Sequence, residues 1–309
     1  MLSVRNLSIT FAMYEAGLRR RAITPIAGLD LDVRAGELLG VIGASGSGKS
    51  LLAHAVLGIL PSNASAAGQI WFKGELLTPA RQEALRGKEI ALIPQSVGFL
   101  DPLMRVGRQV RRAAQLSGAS SPVEAQRRIF ERYGLRPQDA RLYPFQLSGG
   151  MARRVLVSTA AVGQASLIIA DEPTPGLHPE VVAETLRHMR ELADEGRAVL
   201  LITHDVGAAL TVADRIAVFY AGTTVEVAPV ADFQGDGAAL RHPYTRALWR
   251  ALPQNEFISL PGAQPTPDDL PAGCLFAPRC PLATAECRAA RPELRPVRGG
   301  WARCIHVES

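Results

Sequence analysis

"ELLGVIGASGSGKSLLAHAVL", residues 37–57, decides the fold. It satisfies G-x-x-x-x-G-K-[ST], with the apolar run "LLGVIG" before the motif and the helically spaced "SLLAHAVL" after it. A buried strand, a glycine-rich turn and a helix, in that order, build an α/β unit whose turn wraps an anion. Gly43, Gly46 and Gly48 permit backbone conformations that a Cβ would block. Successive N–H groups of this loop, Ser45 included, then converge on phosphate oxygens at a helix N-terminus. Lys49 places a point charge near the β- and γ-phosphates, and the Ser50 hydroxyl supplies an oxygen ligand for Mg²⁺.

Working outward, a second apolar run, "LIIADEP" at 167–173, delivers two carboxylates at the C-terminal end of a buried strand, where ligands bind in open α/β sheets. Side chains alternate along a strand, so Asp171 and Glu172 are expected to take different tasks. We assign Asp171 to the Mg²⁺ shell and Glu172 to the attacking water, since phosphoryl transfer is catalysed by positioning and charge neutralisation. Between residues 165 and 222, strands and amphipathic helices alternate, with a helix at 179–196 closed by Gly196, which predicts a parallel sheet covered on both faces. Residues 1–42 read as short alternating segments, hence antiparallel strands feeding the first buried strand, and residues 105–142 carry helical spacing.

The chain has 309 residues and a net charge of +5, with 34 basic against 29 acidic residues, and only Lys49, Lys73 and Lys88 are lysines. No dense basic patch with interleaved aromatics occurs, and "LRRR" at 18–21 is too short to make nucleic acid the expected partner. The start "MLSVRNLSIT" alternates like a strand and is not a signal peptide. No apolar run reaches the roughly 18 residues of a membrane span. A cytosolic chain is expected, and a reducing compartment argues against disulfides among Cys274, Cys280, Cys287 and Cys304.

"LSGGM" at 147–151 presents a second Ser-Gly-Gly cradle at a helix start. With it in view, the whole chain resembles an ATP-binding cassette (ABC) protein, the nucleotide-binding subunit of a transporter. The resemblance implies a P-loop NTPase parallel sheet with an N-terminal antiparallel β subdomain, an inserted helical subdomain over about 96–155, and a cassette spanning 1–235. It also implies that Ser148, Gly149 and Gly150 contact ATP held by a second subunit, so that two chains clamp two nucleotides head to tail. By the same resemblance Gln95 in "ALIPQS" senses Mg²⁺ and water and relays contact to the membrane subunits, and His204 in "LLITHD" bonds the γ-phosphate and holds Glu172. Two departures stand out. His178 occupies the position where the family's D-loop has Asp, which fits unequal ATP sites. No aromatic adenine platform is evident, Phe11, Tyr14 or an arginine of "LRRRAIT" being the candidates.

Beyond about residue 235 the sequence turns Pro- and Gly-rich, marking a C-terminal extension over 236–309. "RHPYTRALWRALP" at 241–253 and "PAGCLFAPRCPLATAEC…WARC" are similar to the tails of dipeptide, oligopeptide and nickel importer ATPases. The resemblance implies a [4Fe–4S] cluster on the four cysteines, with zinc as the alternative. Their spacing, C-x5-C-x6-C-x16-C, lacks the C-x2-C of a zinc ribbon. Because the tail reads as lacking a core of its own, a metal centre is the expected staple. "GSGKSLLAHAVLGILP", "QSVGFLDPLMRVG" and "LYPFQLSGGM" look close to nickel- and metallophore-type ATPases, which leaves peptide, nickel and metal–metallophore cargo open. The implied partners are a related but different ATPase chain, two permease subunits and an external substrate-binding protein. The implied location is peripheral, on the cytoplasmic face of the plasma membrane. The alternative is a soluble cassette ATPase with an iron–sulfur redox-sensing role.

Overall fold

The computed structural model describes residues 1–14 and 20–307. The elements run β1 (Leu2–Tyr14), β2 (Arg20–Val33), β3 (Leu38–Gly43), α1 (Lys49–Leu57), β4 (Ala64–Phe72), β5 (Glu75–Leu76) and α2 (Pro79–Leu85). They continue with β6 (Ile90–Ile93), α3 (Val106–Leu116), α4 (Pro122–Arg132), α5 (Gly149–Ala161), β7 (Leu167–Asp171), α6 (Pro179–Asp194) and β8 (Ala198–Ile202). The last are α7 (Val206–Leu210), β9 (Arg215–Tyr220), β10 (Thr223–Pro229), α8 (Pro243–Arg250), α9 (Ala285–Ala289), β11 (Arg295–Val297) and β12 (Gly300–Ala302). The chain forms two compact units, one of residues 33–38 and 77–203 with Met1, the other of residues 2–32, 39–76 and 204–309.

In the first unit β8, β7 and β6 form a parallel array in that order. Every residue of β7 and β8 is buried, which is why, Asp171 at the end of β7 apart, their sequences are apolar runs that show no alternation. α6 begins with Pro179 at its first turn, and just past its end Gly196 takes φ +93°, the left-handed conformation that stops the helix at little cost. The predicted helical stretch resolves into α3 and α4. α3 buries Val106, Val110 and Ala114, four residues apart on one face, and α4 buries Ala125, Ile129 and Phe130.

In the second unit β2, β1, β4 and β5 make the expected antiparallel sheet. β3 pairs in parallel with β9, and β9 turns through Ala221 and Gly222 into antiparallel β10. β12 then adds to β10, and β11 to β12.

The tail buries its apolar residues against these strands instead of in a separate core. Tyr244, Trp249, Leu275 and Phe276 of the tail share one buried cluster with Ile42, Val218, Tyr220 and Val225. The Tyr244 and Phe276 rings lie 4.5 and 5.3 Å from the ring of Tyr220. Buried Glu226 of β10 accepts the backbone N–H groups of Arg241 and His242 at 2.8 Å each and faces the Arg241 guanidinium. Burial pushes its carboxyl pKa up, opposed by those hydrogen bonds and by Arg241. The tail is thus fastened by apolar burial and a satisfied polar group.

Candidate functional site

β3 is buried along its whole length and runs into the glycine-rich loop. A Cβ on Gly43 would stand 2.5 Å from the Phe219 carbonyl oxygen, and one on Gly48 (φ +90°) would stand 2.3 Å from Ile26 Cδ1. Glycine is therefore required at both positions by the chain itself. Gly48 is the N-cap of α1 and provides no side-chain acceptor, so the first-turn N–H groups are not taken by a cap. Lys49 is only 7% exposed, and its Nζ donates to the Gly43 and Ala44 carbonyls at 2.8 and 3.0 Å, which holds the loop closed on its own ammonium. Ser47 Oγ is buried without a hydrogen-bond partner inside this loop, a polar interior that suits an anion and its counterion. We expect Gly48→Ala to weaken Mg·ATP binding by at least about tenfold and to cost about 1–3 kcal/mol of stability, read by titration calorimetry and denaturation. Unchanged affinity would contradict this reading of the loop.

The carboxylates stand where β7 stops. Asp171 is its last residue, and both Asp171 and Glu172 are buried. Glu172 leaves the strand in a left-handed conformation, φ +46°, while its N–H donates to the Ile202 carbonyl at 2.8 Å. Pleat alternation therefore does not govern Glu172; the turn sets its direction. A non-glycine residue held there carries strain of the kind that collects at functional positions. His204 is exposed just beyond the end of β8, and Asp205 next to it caps α7 by accepting the Ala208 N–H at 2.9 Å.

Ser148 is the N-cap of α5, its Oγ accepting the Met151 N–H at 3.3 Å. A Cβ on Gly149 would meet nothing within 4 Å, and one on Gly150 would make only ordinary contact with Val181. This chain therefore gives no steric reason for the two glycines. With glycine at both first positions, the exposed start of α5 carries no side chain beyond its Ser148 cap and is open to a group approaching from outside.

Gln95 is exposed, and its carbonyl, with that of Pro94, is held by Arg153 of α5. The phosphate loop and His204 belong to the second unit; Gln95, Asp171, Glu172 and the Ser-Gly-Gly cradle belong to the first. His178 is the exposed N-cap of α6 and makes no side-chain capping bond. Of the adenine candidates Phe11 is half-buried and Tyr14 exposed, while part of "LRRRAIT" lies outside the described residues. Sequence reading missed Arg153, which holds the backbone of the Gln95 segment, and Tyr244, whose hydroxyl pKa is pushed up to about 12 by burial, opposed by the Ala44 N–H of the loop. An arginine and a tyrosine in helical segments carry no signal of burial by themselves.

The four cysteines are unpaired, Cys287 and Cys304 buried, Cys274 and Cys280 half-buried, and all four lie within electrostatic range of one another. Nearby backbone N–H groups favour the thiolate form: those of Phe276 and Ala277 at Cys274, of Leu282 at Cys280, and of His306 and Val307 at Cys304. Burial nonetheless pushes the thiols of Cys274, Cys280 and Cys304 up. Cys287 Sγ lies 3.2 Å from His306 Nε2. Among the described residues no three His, Cys, Asp or Glu side chains are placed to hold a metal ion. A single ion such as zinc therefore has no preformed ligand set among the described residues.

Comparison with known proteins matches residues 26–175 to the ABC transporter family and residues 225–287 to the oligopeptide/dipeptide transporter C-terminal region. A probable peptide ABC transporter ATP-binding protein of Sinorhizobium fredii is 36% identical over 98% of this chain and 93% of its own length. The oligopeptide transport ATP-binding protein OppD of Salmonella typhimurium is 36% identical over 94% of this chain and 89% of its own. The dipeptide transport ATP-binding protein DppD of Escherichia coli is 36% identical over 99% and 96%. Among solved structures, the dimeric ATP-binding cassette MJ0796 bound to ADP and Pi superposes with a TM-score of 0.66 at 24% identity, covering 76% of this chain and all of that one. An ATP-binding subunit of an ABC transporter gives 0.61 at 26% identity, covering 75% of this chain and 91% of that one.

Proposed function

Because the chain belongs to the ATP-binding subunits of oligopeptide and dipeptide ABC transporters, we propose that it hydrolyses ATP in a head-to-tail pair of cassettes to drive peptide uptake. The observation that carries this is the glycine-enforced loop at residues 43–50, with its uncapped helix and nearly buried lysine. Lys49 and the loop N–H groups bind the phosphates, and the ammonium exchanges its carbonyl partners for phosphate oxygens as the nucleotide enters. Ser50, Asp171 and Gln95 are the oxygen donors suited to Mg²⁺, which when bound neutralises phosphate charge. Glu172 orients and deprotonates the water, and His204 bonds the γ-phosphate. Ser148, Gly149 and Gly150 close on the nucleotide of the companion cassette, which accounts for two glycines that this chain gives no steric reason for. The companion is a related but different chain, consistent with His178 in the D-loop.

Among the described residues no helix is long and apolar enough to cross a membrane. Attachment then falls to the apolar surface next to Gln95, where Phe99 is 67%, Leu103 87% and Phe145 75% exposed. The Val106 N–H to Leu142 carbonyl bond joins these segments, and Tyr143 and Phe145 stack at 5.6 Å. This surface is the seat of the permease, on the cytoplasmic face. Cargo is chosen by the permease and an external binding protein. The relatives named above are peptide ATPases, which favours peptide over nickel or a metallophore. Reconstitution with the permease tests the reading: ATP-dependent peptide accumulation is expected, and ATPase activity without uptake of any cargo would reject it.

One observation favours a second feature, an iron–sulfur cluster in the tail. Backbone N–H groups favour the thiolate at three of the four cysteines, as they do at the sulfur ligands of clusters, and all four lie within electrostatic range of one another. Among the described residues no three donors are placed to hold a single metal ion, which counts against zinc. Anaerobically purified protein is expected to be brown and to be bleached by Cys280→Ser; a colourless preparation with stoichiometric zinc rejects the cluster.

A further inference from the structure

Two neighbouring arginines on α5 meet different fates. Arg154 pairs with the carboxylate of Glu184 at 2.6 Å, as a charged helical residue ordinarily does. Arg153 is only 3% exposed and, among the described residues, no carboxylate pairs with it. Its Nη1 donates to the Pro94 carbonyl at 2.8 Å and its Nη2 to the Gln95 carbonyl at 2.7 Å, while its Nε has no acceptor. A cation buried against neutral carbonyls is costly, and a Met or Leu would fill the space at less expense. The planar fork does what neither could: it grips two consecutive peptide carbonyls at once.

The two carbonyls belong to the segment that carries Gln95 and then runs into exposed Val97, Phe99 and Leu103. The guanidinium belongs to the helix whose N-terminus is capped by Ser148, about 7.5 Å away along the axis. We infer that Arg153 is a positioning residue that locks the Gln95 segment to the Ser148-bearing helix, so that movement at the apolar surface and movement of the Ser-Gly-Gly cradle are one motion. This rests on the roles proposed above for Gln95 and Ser148. It supplies what those roles lack, a bonded path between the surface facing the permease and the cradle facing the companion cassette.

The test uses the complete transporter reconstituted with its permease and companion cassette. Arg153→Met keeps the stem and removes the fork; Arg153→Lys keeps the charge but replaces the fork with a point donor. For Arg153→Met the peptide transported per ATP hydrolysed is expected to fall about tenfold, a coupling change of the usual size for a network residue. Arg153→Lys should fall in between. The Kd for Mg·ATP should stay within about twofold, and amide exchange should quicken at residues 95–100 and not in α1. Unchanged coupling overturns the inference, as does a joint decline of coupling, ATP affinity and melting temperature, which would mark general loosening. Gln95→Ala is run in parallel. If it uncouples transport while Arg153→Met does not, the inference alone fails; if neither uncouples, the role of Gln95 fails with it. Should the arginine variants not assemble, exchange in the unaltered protein decides: on ATP binding residues 95–100 and 148–152 should change protection together, and independent changes overturn the lock.

Discussion

Replacing Glu172 with glutamine is expected to lower ATP turnover by about 10²- to 10⁴-fold while Mg·ATP binding is retained, the loss typical when a positioned general base is removed. The substitution is nearly isosteric and keeps the strained backbone, φ +46°, anchored through the N–H to Ile202, so loop geometry should survive. What is lost is the ability to accept a proton from water. The companion Asp171 closes a buried strand, and in the Mg²⁺-binding role proposed for that residue it cannot take over. Binding without turnover should also accumulate the closed pair of cassettes, visible as an ATP-dependent increase in mass. Turnover within a factor of two of the unaltered chain would show that Glu172 does not handle the water.

Lys49→Ala should weaken ATP binding by about 10- to 100-fold, the range expected when charge-assisted hydrogen bonds are lost from a buried site. The effect has two sources in the structure. The ammonium is the loop's nearly buried cation, and it also bridges the carbonyls of Gly43 and Ala44, so the empty loop loses its internal tie. Isothermal titration with Mg·ATP separates them. Lys49→Arg keeps the charge but not the compact head, and should recover only part of the affinity. An alanine variant that binds ATP as tightly as the unaltered chain would remove the phosphate loop from the account.

The contrast between these residues and those that went unread shows what the sequence carries. β3, β7 and β8 were legible because strands buried on both faces must be continuous apolar runs, and the motif residues sit at their C-terminal ends. β10 was not, because "TTVEVAP" contains threonines and a glutamate that read as surface. Glu226 can be buried only because Arg241 and two backbone N–H groups, 15 and 16 residues on, satisfy it. The packing of the tail onto β9 was invisible for the same reason: Tyr220, Tyr244 and Phe276 come from distant segments and none alone shows periodicity. The left-handed turn at Glu172 has no sequence signature, since nothing local demands it. Arg153 was one arginine among many until its carbonyl partners 58 and 59 residues away came into view.

Shared occupancy of ATP by two cassettes is the claim on which the rest depends, and turnover per chain measured against concentration, alone and with the companion cassette, tests it most directly. Turnover should rise steeply through the range in which cassettes pair, and Ser148→Arg should abolish it at every concentration. A rate per chain that is constant under dilution and indifferent to Ser148→Arg would mean that a single cassette completes the reaction, contrary to the mechanism proposed.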